Sequence, residues 1–183
     1  MDVAVTSDTL EVSDCRELGS DAIFTISSAK PGNGVEQLRD DNLETYWQSD
    51  GAFPHSISMQ FLRKVAIPKV CVYSESYTPK KITISCGTTI QDLYDVKSVE
   101  LNEPVGWVTI QLESVEMQGQ LEVSEMLRTH LLQVKVLSMH QNRRDTYIRQ
   151  IKVFGPRESP IVMGGFKYNR FKTIEMQQYA VLR

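Results

Sequence analysis

An alternation of apolar and polar side chains with a period of two, renewed many times between Ala22 and Val153, limits this chain more than any other feature. That period lines one face of a strand with apolar groups, whereas a helical stripe needs a period near 3.6. In residues 55–61 (HSISMQF) the apolar set is Ile57, Met59 and Phe61, with Ser56, Ser58 and Gln60 opposite, as in a half-buried antiparallel strand. Further inward sets are Val70 and Val72; Ile82, Ile84 and Cys86; Val99 and Leu101; Val108, Ile110 and Leu112; Leu132, Val134 and Val136; and Ile151 and Val153. With a strand over residues 22–27 these make roughly eight strands, and their spacing predicts an all-β sandwich. Turn-rich connectors fall at residues 74–81, 87–93, 103–106 and 114–119, and residues 124–129 are expected to take at most one helical turn.

The 183 residues fit one domain of about 150 residues with short extensions. The alternation stops after Gly155 and Pro156, so the expected division is an extension at 1–16, loose or docked on an edge, a sandwich over 17–156, and a linker with a docking tail at 157–183. That tail keeps Phe166, Tyr168, Phe171, Ile174 and Tyr179, residues a solvated tail usually lacks. Ordinary hydrophobic (41%) and charged (23%) fractions, no apolar run near the roughly 18 residues of a spanning helix, and an acidic start unlike a signal peptide imply a soluble intracellular protein. Net charge of −3 argues against general nucleic-acid binding. Cys15, Cys71 and Cys86 are odd in number and lack CxxC spacing, which predicts buried, reduced thiols.

Two polar segments stand out from this frame. Residues 30–51 (KPGNGVEQLRDDNLETYWQSDG) combine two turn-forming pairs, an acidic corner at Asp40, Asp41 and Asn42, and a Tyr46-Trp47 anchor. Trp47 is read as a core residue. The corner suits either Asx side chains capping their own backbone or a calcium ion, and capping is preferred because no second acidic cluster accompanies it. Residues 139–149 (MHQNRRDTYIR) place His140, Asn142, Arg143, Arg144, Asp145 and Arg149 between apolar strands. They fit a surface that reads a polar peptide, or a solvated hairpin in which Asp145 pairs with a neighbouring arginine; the residues leave both open. No HExxH, GxSxG or GxxxxGK[ST] pattern occurs among residues that include only three histidines, so a binding module is expected rather than an enzyme.

Three separated blocks carry a family resemblance: residues 30–51, residues 74–84 (SESYTPKKITI) and residues 140–156 (HQNRRDTYIRQIKVFGP). They resemble the Doc domain, found in one small subunit of the anaphase-promoting complex, a cullin-containing ubiquitin ligase. The resemblance implies a galactose-binding-like jelly-roll β-sandwich without catalysis, cofactor or metal, serving cell-cycle control in nucleus and cytoplasm. It further implies a co-receptor that holds a destruction-box degron beside a WD-repeat coactivator and promotes processive ubiquitination. By matching position, His140, Asn142, Arg144 and Asp145 form the degron-binding loop, and Ser76, Tyr77 and Thr78 are an additional candidate surface. Leu182 and Arg183 would dock on a tetratricopeptide-repeat scaffold of the complex, with neither nucleic acid nor membrane as partner. The chain departs from the family in having Arg143 where glycine is usual, Tyr147 where histidine is frequent, and a shorter connector before residues 76–79. Two rival readings are a carbohydrate-binding module using Trp107 or Tyr147 as a platform, and a Doc-like domain belonging to another ligase.

Overall fold

A computed structural model describes residues 3–6 (backbone only), 15–75, 79–112, 127–140 and 144–157. Within them the chain forms β1 (Val3–Thr6), β2 (Cys15–Glu17), β3 (Ala22–Ile26), β4 (Trp47–Gln48), β5 (His55–Ala66), β6 (Lys69–Ser74), β7 (Pro79–Gly87), β8 (Tyr94–Glu100), β9 (Gly106–Gln111), β10 (Arg128–Met139), β11 (Tyr147–Ile148) and β12 (Gln150–Pro156). The strands build two five-stranded antiparallel sheets, ordered β1-β9-β6-β12-β2 and β3-β5-β10-β7-β8, with a small β4-β11 pair beside them. This is the all-β sandwich expected from the alternation, in the jelly-roll form that the resemblance implies.

The apolar sets meet between the sheets: Ile57, Met59, Val70, Val72, Ile82, Ile84, Val108, Ile110, Leu132, Val134, Val136, Ile151 and Val153 are all fully buried. Trp47 is also fully buried, as expected. Twelve strands among the described residues exceed the eight expected, because strands of two to four residues such as β4, β11 and β1 are too short to show a period. Thr129 stands in β10 rather than in a helical turn. Strand β1 lies on a sheet edge beside β9, and β2 straddles the expected boundary between residues 16 and 17. Gly155 permits the close approach of β12 to the β5 corner, since a Cβ there would lie 2.7 Å from the Ala66 carbonyl and 2.5 Å from Leu18 Cδ1.

All three cysteines are unpaired thiols, with Cys71 and Cys86 buried and Cys15 half-buried. Burial pushes the thiols of Cys71 and Cys86 above their ordinary value, which leaves neither poised as a nucleophile.

Because each neighbour runs antiparallel, β3, β6, β8 and β10 end where β5, β7, β9 and β12 begin. The connectors after Ile26, Ser74, Glu100 and Met139 therefore crowd one end of the sandwich. Both polar segments singled out in the sequence belong to that end.

Candidate functional site

Two of those connectors are knitted together. The Ser49 amide donates to the Thr146 carbonyl at 3.1 Å, and the Thr146 amide returns a bond to Ser49 Oγ at 2.8 Å. Next to this exchange β4 and β11 pair, Gln48 opposite Tyr147 and Trp47 opposite Ile148. Trp47 ties the first connector down by donating its indole N–H to the Ser28 carbonyl at 2.9 Å. Beneath the second lies His55, fully buried, with Nε2 3.0 Å from the Arg144 carbonyl and its ring 4.6 Å from that of Phe53. A carbonyl only accepts, so Nε2 carries the proton.

The expected site residues separate into two groups. Asp145 is gripped from across the fold: Lys30 forms an ion pair with it, and Gln48 Nε2 donates to it at 2.8 Å while also reaching the Tyr147 hydroxyl. Among the described residues its charged partner is thus a lysine 115 residues away and not Arg144. Folding decides this, because the β4-β11 pairing delivers the first connector to Asp145. His140 is likewise committed, its Nε2 donating to the Leu101 carbonyl at 2.6 Å with the side chain only 18% exposed. It anchors the connector between β8 and β9, where Glu103 takes a positive φ of 46°. Arg144 is the exception. It is exposed, and among the described residues its guanidinium has no hydrogen bond or ion pair.

Arg144 and Asp145 line an open cleft of about 780 Å³ together with Asp50, Gly51, Ala52 and Phe53. Gly51 adopts φ of +100°, which lets the backbone turn sharply at the rim. Asp50 anchors its amide on Ser28 Oγ at 3.0 Å and leaves its carboxylate exposed. The cleft therefore offers an aromatic surface between the exposed Arg144 guanidinium and the exposed Asp50 carboxylate. Sequence reasoning missed Asp50, Phe53, Gln48, Lys30 and His55 as parts of this site. The Ser49-Asp50-Gly51 turn was a usable signal, but nothing local tied it to residues 144–147. Asn142, Ser76, Tyr77, Thr78, Leu182 and Arg183 lie outside the described residues. The flanks of residues 76–78 do reach the same end: Glu75 pairs with Arg149 at 3.0 Å, and Pro79 stands opposite Met139.

The hydrogen bond from Lys30 is the main cause holding the Asp145 carboxyl below the usual aspartate range. Such a group contributes stability that is fully present above its ordinary value of 3.8 and is lost as pH falls through the lower folded value. Lys30→Ala should therefore lose stability less steeply on acidification below about pH 4 than the parent chain, read by urea unfolding at stepped pH. Equal slopes would mean the pair contributes nothing.

The acidic corner caps itself. The Asn42 amide donates to Asp40 Oδ1 at 2.9 Å, the Glu44 amide to Asn42 Oδ1 at 3.0 Å, and the Thr45 hydroxyl to Asp40 Oδ2 at 2.6 Å. Among the described residues no three His, Cys, Asp or Glu side chains converge to hold a metal ion. The two aromatic candidates of the sugar reading are half-buried, each against a neighbouring ring. Trp107 lies on an outer sheet face, edge-on to Tyr73 at 5.3 Å and 5.6 Å below Lys152 Nζ; Tyr147 packs 5.4 Å from Tyr46.

Two five-stranded antiparallel sheets with the long connectors gathered at one end define the class: a jelly-roll β-sandwich. The architecture is similar to the family 32 carbohydrate-binding module of Clostridium perfringens NanJ solved with galactose, at TM-score 0.61 and 11% identity over 76% of this chain and 98% of that one. It is also similar to chitosan-binding module 1 of a Paenibacillus chitosanase/glucanase, at TM-score 0.60 and 15% identity over 76% and 99% of the two chains. At such identities the likeness is one of fold alone.

Sequence comparison is more particular. Residues 3–180 match the family model for anaphase-promoting complex, subunit 10 (APC10). Anaphase-promoting complex subunit 10 of Homo sapiens is 43% identical over 92% of this chain and 88% of its own length, and that of Schizosaccharomyces pombe 41% identical over 80% and 77%. The Saccharomyces cerevisiae subunit DOC1 is 28% identical over 76% of this chain and 56% of its own. The chain belongs to the anaphase-promoting complex subunit 10 family.

Proposed function

We propose that this chain is a non-catalytic subunit of the anaphase-promoting complex that serves, with a WD-repeat coactivator, as co-receptor for destruction-box degrons and raises the processivity of ubiquitination. Family membership supports the assembly. The observation that carries the recognition role is the cleft at the loop end, where the exposed Arg144 guanidinium, without a partner among the described residues, lines the cleft with Phe53 over a support of hydrogen bonds. His140 and Asp145, tied to Leu101 and to Lys30 with Gln48, shape this crest, while Arg144 contacts the peptide, joined by Asn142 and by residues 76–78. Each half of the split receptor binds weakly, and tethering both in one assembly converts the two contacts into avidity. Leu182 and Arg183 supply an aliphatic group and a guanidinium for a tetratricopeptide-repeat scaffold to grip.

The test is a reconstituted anaphase-promoting complex depleted of its subunit 10. Adding this chain should restore the number of ubiquitins attached per substrate encounter, and deletion of residues 182–183 should weaken its incorporation into the complex. A chain that incorporates yet leaves processivity at the depleted level would defeat the co-receptor role, and undiminished capture of the truncated chain would defeat tail docking.

A further inference from the structure

Gln150 opens β12 and is 1% exposed. Its Nε2 lies 2.7 Å from Asp40 Oδ1, 3.0 Å from the Gln37 carbonyl and 3.1 Å from the Asn42 carbonyl. A carboxylate and two backbone carbonyls converging on one buried point is the donor set a hard cation takes from a tight acidic loop. The separations, however, are those of N–H···O bonds, longer than the roughly 2.3–2.6 Å of calcium to oxygen. Only the nitrogen of the carboxamide can face three acceptors, so the orientation of the group follows from its surroundings. Oε1 is consequently turned away, buried and without a partner among the described residues, and Gln150 borders a small cavity of about 160 Å³.

The other charges around this point are already matched. Asp41, at φ of 55°, pairs with Lys152 at 2.7 Å, and Glu17 pairs with Arg39 at 2.8 Å. Asp40 spends its remaining capacity on the Asn42 amide and the Thr45 hydroxyl. Next in the chain, Arg149 bonds the Leu43 carbonyl and pairs with Glu75. The acidic loop is thereby fastened to the first turn of backbone after β11, at the base of the crest.

We propose that the Gln150 carboxamide fills the place of a cation in the loop spanning residues 37–45, making it a metal-independent latch that positions the crest. A bound ion would have to displace an internal donor that is covalently part of β12. Gln150→Glu exchanges that donor for an acceptor and turns the same point into an all-oxygen set of the new carboxylate, Asp40 Oδ1 and the carbonyls of Gln37 and Asn42. This inference does not depend on the co-receptor role.

Thermal unfolding of the full chain, Gln150→Ala and Gln150→Glu, in chelator and in millimolar calcium chloride, tests it. The parent chain should show the same Tm in both. Gln150→Ala should melt lower by about 4–8 °C in both, the shift expected for losing buried hydrogen bonds in a chain this long. Gln150→Glu should melt at least as low in chelator and recover at least half of that loss in calcium, with one ion bound per chain by calorimetry. A calcium-raised Tm in the parent, or a Gln150→Glu chain indifferent to calcium, would overturn the proposal. A second readout needs no variant: the Gln150 side-chain amide protons of the parent should exchange at least about tenfold more slowly than those of exposed glutamines. Exchange as fast as in exposed glutamines would overturn it equally.

Discussion

Trp47→Ala is expected to lower the stability of the chain by about 3–5 kcal/mol, a large share of the roughly 5–15 kcal/mol that holds a domain of this kind together. The indole is fully buried in the main core cluster, so truncation removes its transfer free energy and leaves a cavity there. It also frees the Ser28 carbonyl that accepts the indole N–H at 2.9 Å. Trp47 further stands opposite Ile148 in the pair that seats the crest, so the loss reaches the candidate site as well as the core. Trp47→Phe keeps most of the apolar volume and loses the N–H, and should cost about 1–3 kcal/mol. Urea unfolding followed by circular dichroism measures both. A Trp47→Ala chain within about 1 kcal/mol of the parent would show that the pocket collapses around alanine and that the anchor role is wrong.

The second large effect concerns binding. Arg144→Glu should weaken capture of a destruction-box peptide by the coactivator-bound complex by about tenfold to a hundredfold, equivalent to about 1.4–2.8 kcal/mol. Two features make this variant informative. The guanidinium has no partner among the described residues, so its replacement leaves none of their polar groups unsatisfied. The structural duty of the residue lies in its backbone carbonyl, which accepts from His55 Nε2 and survives substitution. Folding should accordingly be unchanged while binding falls, with Arg144→Ala intermediate. Cross-linking of a labelled degron peptide, alongside thermal unfolding of the isolated chain, separates the two. Equal peptide capture by the variant and parent would remove Arg144 from the recognition surface.

Asp145 shows why the same experiment on its neighbour would mislead. Its carboxylate is already held by Lys30 and Gln48, so Asp145→Ala would disturb the joint between two connectors as well as any contact with peptide. His140, bonded to Leu101, carries the same ambiguity.

Local physics made much of the fold readable. The alternation in β5 and β10 reports which side chains face the core, since a strand sends successive residues to opposite sides whatever its neighbours are. The Asp40–Thr45 corner was readable for a related reason, because Asx and Thr side chains bond to backbone only two or three residues away. Resemblance in residues 140–156 led to Arg144, but could not say that His140 and Asp145 face inward to partners of their own.

The amino-acid order by itself determined the strand faces and the self-capped corner, which depend on neighbours a few residues apart, and the buried indole, which follows from the size and apolar character of the side chain. The tertiary structure alone decided that Lys30 reaches Asp145, that His55 supports the Arg144 carbonyl and that Asp50 and Phe53 share a cleft with it. Those relations join residues 89 to 115 positions apart, and periodicity carries no information about separations of that size. They exist because antiparallel pairing brings the ends of distant strands to the same edge, where short side chains can finally meet.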